Sequence, residues 1–281
     1  MSAEVEAMSK VIRPQLGKRG VYRSLGLCVR RLASLALASL TLLATSGCVT
    51  TPVTGRQALN FFSIAEDKDF GAEAYKEILA SAKLKDSGPE YAMVKRCVDR
   101  LIAVADDPGF EWEVHLIDDP KTVNAWCLPG GKMAVYTGIL PLTVDETGLA
   151  VVMGHEIGHA IARHGTERMS MELGPTVMIS LLGGENQALL ATAEQYVLTL
   201  PWGRKQELEA DRIGLIYMAR AGFDPRKAVE FWQRMSEQSK DAPPEFLSTH
   251  PADSTRIAQL EELLPEAMLI WETSSPKPAN P

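Results

Sequence analysis

The chain has few cysteines, little basic charge over most of its length and no second long apolar run, and each shortage excludes a class. Four cysteines among 281 residues, none at metal-binding spacing from another, exclude a thiolate-held zinc site. The net charge is −7. Seven of the 29 Lys and Arg and two of the 36 Asp and Glu fall in residues 1–47, so the remainder carries −12, which argues against a nucleic-acid partner. Past the amino terminus no run reaches transmembrane length, and no internal repeat is visible. The roughly 230 residues after position 47 suit one catalytic-sized domain.

What is present is most informative at His155-Glu156-Ile157-Gly158-His159. Histidines four apart project from one helix face, so both imidazoles reach one zinc ion, and Glu156 stands beside them to take a proton from water. The flanks favour a helix. Asp145-Glu146 gives an acidic start, an apolar run follows, and the pattern continues through His164 to Gly165, a natural C-terminal cap. The bland alternative is two histidines that happen to share a core helix.

A hydrolytic zinc site needs a third protein ligand and an open fourth position. His164 is nine residues past His155, about 900° of helix at ~100° per residue, and so points away; it reads as a helix-end histidine. Glu207 and Glu209 remain. Glu207 shares a face with Asp211, which would let Asp211 accept a hydrogen bond from a ligand histidine. Periodicity alone leaves both glutamates open, beside the plain reading of a surface acidic cluster.

At this point the chain resembles metallopeptidase family 48, which includes the prenyl-protein proteases, HtpX, BepA and LoiP. The family pairs H-E-x-x-H with a downstream E-x-x-A-D, here Glu207-Leu208-Glu209-Ala210-Asp211. Asn124-Ala125-Trp126-Cys127-Leu128-Pro129-Gly130-Gly131 is similar to its N-A-F-x-x-P-G-G segment, and Thr249-His250-Pro251 with Arg256 to its late T-H-P…R. The likeness spans residues 50 to 265, with the motifs in the family's order. Two departures, Gly203-Arg204 for Ser-Arg and Trp126 for Phe, remove no ligand.

The resemblance implies an α+β, predominantly α-helical, zincin-like (gluzincin) domain with a small β-sheet beside the active-site helix. It implies His155, His159 and Glu207 as ligands of one Zn²⁺ per chain, with Asp211 supporting a ligand histidine. Zinc chemistry then makes Glu156 the base that takes a proton from the attacking water and delivers it to the leaving amine. His250 would donate to the developing oxyanion or cover the metal in a resting state. Asn124 is expected in the substrate channel, on a strand that pairs with extended substrate; a plain structural hairpin is the alternative.

Residues 1–47 read as an address. Lys10, Arg13, Lys18, Arg19, Arg23, Arg30 and Arg31 precede an apolar run, Leu32 to Ala44, that is short for a bilayer span, and Thr45-Ser46-Gly47-Cys48 follows. This resembles a bacterial lipoprotein signal with Cys48 lipidated; Met8 is a second candidate start. Val49 in place of Asp favours the outer membrane, facing the periplasm. Thr51-Pro52-Val53-Thr54-Gly55-Arg56 reads as a short polar tether, giving a lipidated segment at 48–62, a peptidase domain at 63–265 and a disordered tail at 266–281. Cys97 and Cys127 are left as a disulfide or as two buried thiols.

Helices are expected near 64–82, 89–105, 145–164, 166–182, 186–199, 204–221, 225–238 and 253–263, and strands at 111–118, 122–126 and 132–136. The insert 166–203, rich in Met, Leu and Ala, is read as a lid or as two core helices. Two functions follow: a lipid-anchored zinc endopeptidase that trims misfolded or misassembled envelope proteins, with outer-membrane assembly machinery as an expected partner, or a lipoprotein chaperone for such clients whose zinc site is latent or structural.

Overall fold

The computed structural model describes residues 48–172, 191, 194–199, 201–238, 244–251 and 254–274. Helix α1 (Ile64–Ala80) begins where the sequence supplies a reciprocal cap: Ser63 Oγ accepts from Glu66 N at 3.2 Å and Glu66 Oε2 accepts from Ser63 N at 2.6 Å. Helix α2 (Gly88–Ile102) carries Pro89 in its first turn and buries Val94, Cys97, Val98 and Leu101, one stripe at three- and four-residue spacing. Cys97 and Cys127 are separate buried thiols, not a disulfide.

Strands β3 (Glu113–Ile117), β4 (Ala125–Leu128) and β5 (Lys132–Tyr136) form a sheet in the order β3-β5-β4, with β3 parallel and β4 antiparallel to β5. The turn at Pro129-Gly130-Gly131 joins β4 to β5 and needs its glycines. Their φ values are 77° and 89°, and a Cβ on Gly130 would lie 2.7 Å from the Lys68 Cα. Strand β4 starts and ends later than the expected 122–126 because the ladder runs up to that turn, pairing Leu128 with Lys132. The sheet therefore presents β4 as an outer strand.

Helix α3 (Glu146–Ile161) is capped by Asp145, whose Oδ1 accepts from Gly148 N at 2.8 Å, and is buried from Gly148 to its end. It crosses α4 (Arg204–Arg220) at a contact made of glycines. A Cβ on Gly214 would lie 2.7 Å from Gly154 C and from His155 N, and one on Gly158 would lie 2.8 Å from Ala210 O. That approach brings the histidines of one helix to the acidic residues of the other. Gly214→Ala is expected to force the pair apart, costing about 1–3 kcal/mol by overpacking and weakening metal affinity. Thermal unfolding with a zinc titration checks this; an unchanged affinity would mean that the spacing is not critical.

The end of α3 corrects one expectation. The helix stops at Ile161, Ala162 caps it, and Arg163 takes the left-handed conformation at φ 56°. A non-glycine residue there costs on the order of 1 kcal/mol. Arg163 is held in it by Nε to Asp67 and Nη2 to the Phe62 carbonyl, both at 2.5 Å. Gly165 is not the cap but lies inside the next helical run, 164–172. Residues 173–190 of the expected insert lie outside the described residues, as do 1–47. Within it Glu194–Thr199 is π-helical and Val197 is buried.

The tether reading of residues 51–56 is also corrected. Cys48–Thr50 (β1) and Gln57–Leu59 (β2) pair antiparallel as a ribbon, Thr51 is buried, and Arg56 forks onto Glu167 at 2.6 and 2.7 Å. The segment packs because its polar groups find buried carboxylates. At the other end, α5 (Arg226–Gln238) precedes α6 (Ser254–Thr273), which runs through Pro265 and past the expected domain end at 265. Leu263 and Ala267 are buried on either side of the proline, and Trp271 Nε1 donates to the Gly222 carbonyl at 3.0 Å, so packing outweighs the missing backbone donor. Among the described residues no helix is long and apolar enough to cross a membrane.

Candidate metal centre

His155 and His159 lie one turn apart on α3 with their Nε2 atoms 3.1 Å from each other. Glu207, in the first turn of α4, places Oε1 3.2 Å from His159 Nε2. His250, which ends the short helix Glu245–Thr249, places Nδ1 3.1 Å from His155 Nε2 and 3.0 Å from Glu207 Oε1. These four residues form the one group of potential metal donors found among the described residues. Tetrahedral zinc with bonds near 2.0–2.1 Å holds its donors roughly 3.3 Å apart. The observed separations are the edges of such a tetrahedron, and the nitrogen and carboxylate set suits zinc chemically.

The sequence left Glu207 and Glu209 open, and the geometry separates them. Glu209 turns away from the cluster to accept from His164 Nε2 at 3.0 Å, from Thr54 Oγ1 at 2.5 Å and from Arg56 Nε. Asp211 is where the periodicity put it, with Oδ1 2.9 Å from His155 Nδ1. His164 lies outside the donor group, but it is fully buried and its Nδ1 is 2.9 Å from His159 Nδ1. The 900° extrapolation assumed an unbroken helix; the turn at Ala162-Arg163 brings the ring back.

Burial governs the electrostatics. It raises the pKa of Glu207, but Arg256 and the facing histidines outweigh it and hold the carboxyl well below its usual range. Asp211 behaves likewise, again chiefly through Arg256. Burial drives His159 well below the normal imidazole range, into the neutral form that binds metal. Glu156, outside the donor set, is pushed up by burial, an effect that His250, His155 and the Cys127 amide only partly offset. Its Oε1 lies 3.3 Å from His250 Nε2.

Two side chains that build the site were not assigned roles from sequence. Arg256 is almost fully buried, donates Nε and Nη2 to Asp211 at 2.7 and 2.6 Å, reaches Glu207 Oε2 at 2.5 Å, and lies 3.7 Å over the Trp232 ring. Its signal was the late T-H-P…R match, which carries no chemistry by itself. Trp202 stacks on His159 with ring centroids 4.6 Å apart and donates its backbone N–H to the Thr249 carbonyl. From sequence, Pro201-Trp202-Gly203 was only a helix interruption.

His250 belongs to the donor group through Nδ1, while its Nε2 faces Glu156. Asn124 is buried just before β4: Oδ1 accepts from Ala125 N at 2.9 Å and Nδ2 reaches Glu245 at 3.4 Å, so its side chain fixes the start of the strand. Cys48 is exposed at the start of β1. His155, Glu156, His159, Glu207 and His250 are each only 2–3% exposed, so the site is closed in this state.

Comparisons with known proteins agree with this chemistry. The mitochondrial metalloendopeptidase OMA1 of Schizosaccharomyces pombe is 38% identical over 234 residues, covering 79% of this chain and 68% of that protein. The human mitochondrial metalloendopeptidase OMA1 is 33% identical over 258 residues, 82% of this chain and 49% of that protein. The beta-barrel assembly-enhancing protease of Escherichia coli is 27% identical over 224 residues, 74% of this chain and 46% of that protein. The model of the family described as Peptidase family M48 matches residues 90–264, which include every proposed ligand. This chain belongs to Peptidase family M48.

Proposed function

We propose that this chain is a zinc-dependent endopeptidase of the bacterial envelope, anchored by lipid at Cys48 to the outer membrane and facing the periplasm, that removes misfolded or misassembled envelope proteins. The observation that carries the reading is the tetrahedral spacing of His155, His159, Glu207 and His250 around one point, with Glu156 beside it and outside the donor set. Bound there, zinc would acidify a water molecule and polarise a peptide carbonyl.

The chain's own residues do the rest. His155, His159 and Glu207 would hold the ion, and Asp211, 2.9 Å from His155 Nδ1, would fix the tautomer of that ligand. Glu156 takes the proton of the attacking water and hands it to the leaving amine, a role suited to a carboxyl whose basicity burial has raised. His250, 3.1 Å from His155, 3.0 Å from Glu207 and 3.3 Å from Glu156, would be the fourth protein donor to a bound ion or, turned away from it, a nearby donor to the oxyanion. The outer strand β4, its start fixed by Asn124, offers backbone pairing to an extended substrate, which suits unfolded chains of varied sequence.

The chelator 1,10-phenanthroline is expected to abolish hydrolysis of an unfolded protein such as casein, with one equivalent of zinc restoring it; cleavage that persists in fully metal-free protein would overturn the zinc reading. For the anchor, radiolabelled palmitate is expected to enter the wild type and not Cys48→Ser; equal labelling of both removes Cys48 as the lipid site.

One observation favours the second reading, a client-binding lipoprotein with a latent or structural zinc. Four protein donors would close the coordination shell of a bound ion, as structural sites do. The buried base Glu156 separates the two readings, since a structural site has no use for it.

A further inference from the structure

We propose that Glu209 and His164 position the ligand histidine His159, and that Thr54 and Arg56 of the amino-terminal ribbon hold this pair in place. The inference rests on the reading of the cluster as a zinc site and extends it to residues that touch neither metal nor substrate.

With zinc on the nitrogen that faces the cluster, the proton arrangement follows step by step. His159 turns Nε2 toward the cluster, 3.1 Å from His155 Nε2 and 3.2 Å from Glu207 Oε1, so Nε2 is its ligating nitrogen and Nδ1 carries the proton. That Nδ1 lies 2.9 Å from His164 Nδ1, which must then accept. The proton of neutral His164 is therefore on Nε2, and Nε2 lies 3.0 Å from Glu209 Oε2, a carboxylate oxygen that can only accept when ionised. The same carboxylate takes Thr54 Oγ1–H at 2.5 Å and Arg56 Nε–H. One tautomer assignment satisfies the whole series, and the opposite assignment at His164 would set two N–H groups against each other.

The two ligand histidines thus have separate supports. His155 leans directly on Asp211 at 2.9 Å, while His159 leans on Glu209 through an interposed imidazole. Both carboxylates come from α4, Glu209 two residues and Asp211 four residues after Glu207, so one helix supplies a ligand and both supports. Arg56 joins this helix to the run 164–172 by forking onto Glu167 as well. His164 is fully buried and Glu209 nearly so, which keeps water from substituting for either. These are positioning residues: outer partners of metal-bound histidines typically contribute about 10–100-fold in metal affinity.

The test uses the full chain, with zinc as the only ligand. The zinc dissociation constant is measured by competition with a chelating dye, and histidine tautomers are read from long-range ¹H–¹⁵N spectra of the zinc-loaded protein. The wild type is expected to show His159 protonated at Nδ1 and His164 at Nε2. His164→Phe, which removes the acceptor, and Glu209→Ala are each expected to raise the dissociation constant about 10–100-fold. The double variant should be no worse than His164→Phe alone, because the two residues act in series. Glu209→Gln and His164→Asn, which each keep one acceptor oxygen, should lose less, and Arg56→Met should shift the constant in the same direction. A wild-type spectrum with His164 protonated at Nδ1 overturns the proposal without recourse to any variant, and so does an unchanged constant in a folded His164→Phe. A wild type that binds no zinc sinks the metal-centre reading itself, and the relay with it.

Discussion

Glu156→Gln is expected to lower the turnover of peptide hydrolysis by about 10²–10⁴, the usual contribution of a positioned general base, while zinc stoichiometry and fold stay unchanged. The substitution is isosteric and the side chain lies outside the donor set, so the residues that would hold the ion are left in place. What disappears is the group able to hold a proton between attack and departure. Glutamine still accepts a hydrogen bond from the Cys127 amide through its carbonyl but has no basicity to offer. Stability should not fall, since a buried carboxyl whose ionisation burial opposes is replaced by a neutral amide. Turnover on casein, zinc content and thermal unfolding together form the measurement. If the variant lost no activity, Glu156 would not be the base. If hydrolysis vanished but the handling of envelope clients in cells survived in full, the client-binding function would stand in its place.

Much of the site was legible because its chemistry is local. The i, i+4 spacing of His155 and His159 and of Glu207 and Asp211 needs only an unbroken helix at each place, and both stretches are helical. The strand before the Pro129-Gly130-Gly131 turn and the one after it were legible from the glycines. What failed to show depends on distant partners. Arg163 adopts a left-handed conformation only because Asp67 and Phe62, about a hundred residues earlier in the chain, hold it there, and the fate of His164 follows from that break. Thr54 and Arg56 look like a solvated linker until Glu167 and Glu209 lie opposite. Pro265 ordinarily ends a helix, and only the packing of Leu263, Ala267 and Trp271 carries α6 beyond it. The closure of the site by Trp202 and His250 is a property of packing between elements, to which periodicity within a segment is blind.

Arg256→Met is expected to be the most destabilising single change at the site, and more so without metal than with it. Arg256 is 1% exposed, and its guanidinium faces two buried carboxylates, Asp211 and Glu207, both held ionised largely by its charge. Removing one partner of such a group leaves uncompensated buried charge, at a cost of about 3–5 kcal/mol. For a domain of this size that corresponds to a fall in Tm on the order of 10 °C. Methionine fills much of the volume over Trp232, so the loss is mainly electrostatic rather than a cavity. A bound divalent cation restores positive charge beside Glu207, so zinc should raise Tm further in the variant than in the wild type. Arg256→Lys should recover part of the stability, because it returns the charge but not the two-pronged bond to Asp211. Calorimetry of the three proteins, each with and without zinc, makes the comparison. Equal losses in the metal-free and zinc-loaded forms would mean that Arg256 serves through packing against Trp232 rather than by balancing the negative wall on which the metal ligands are mounted.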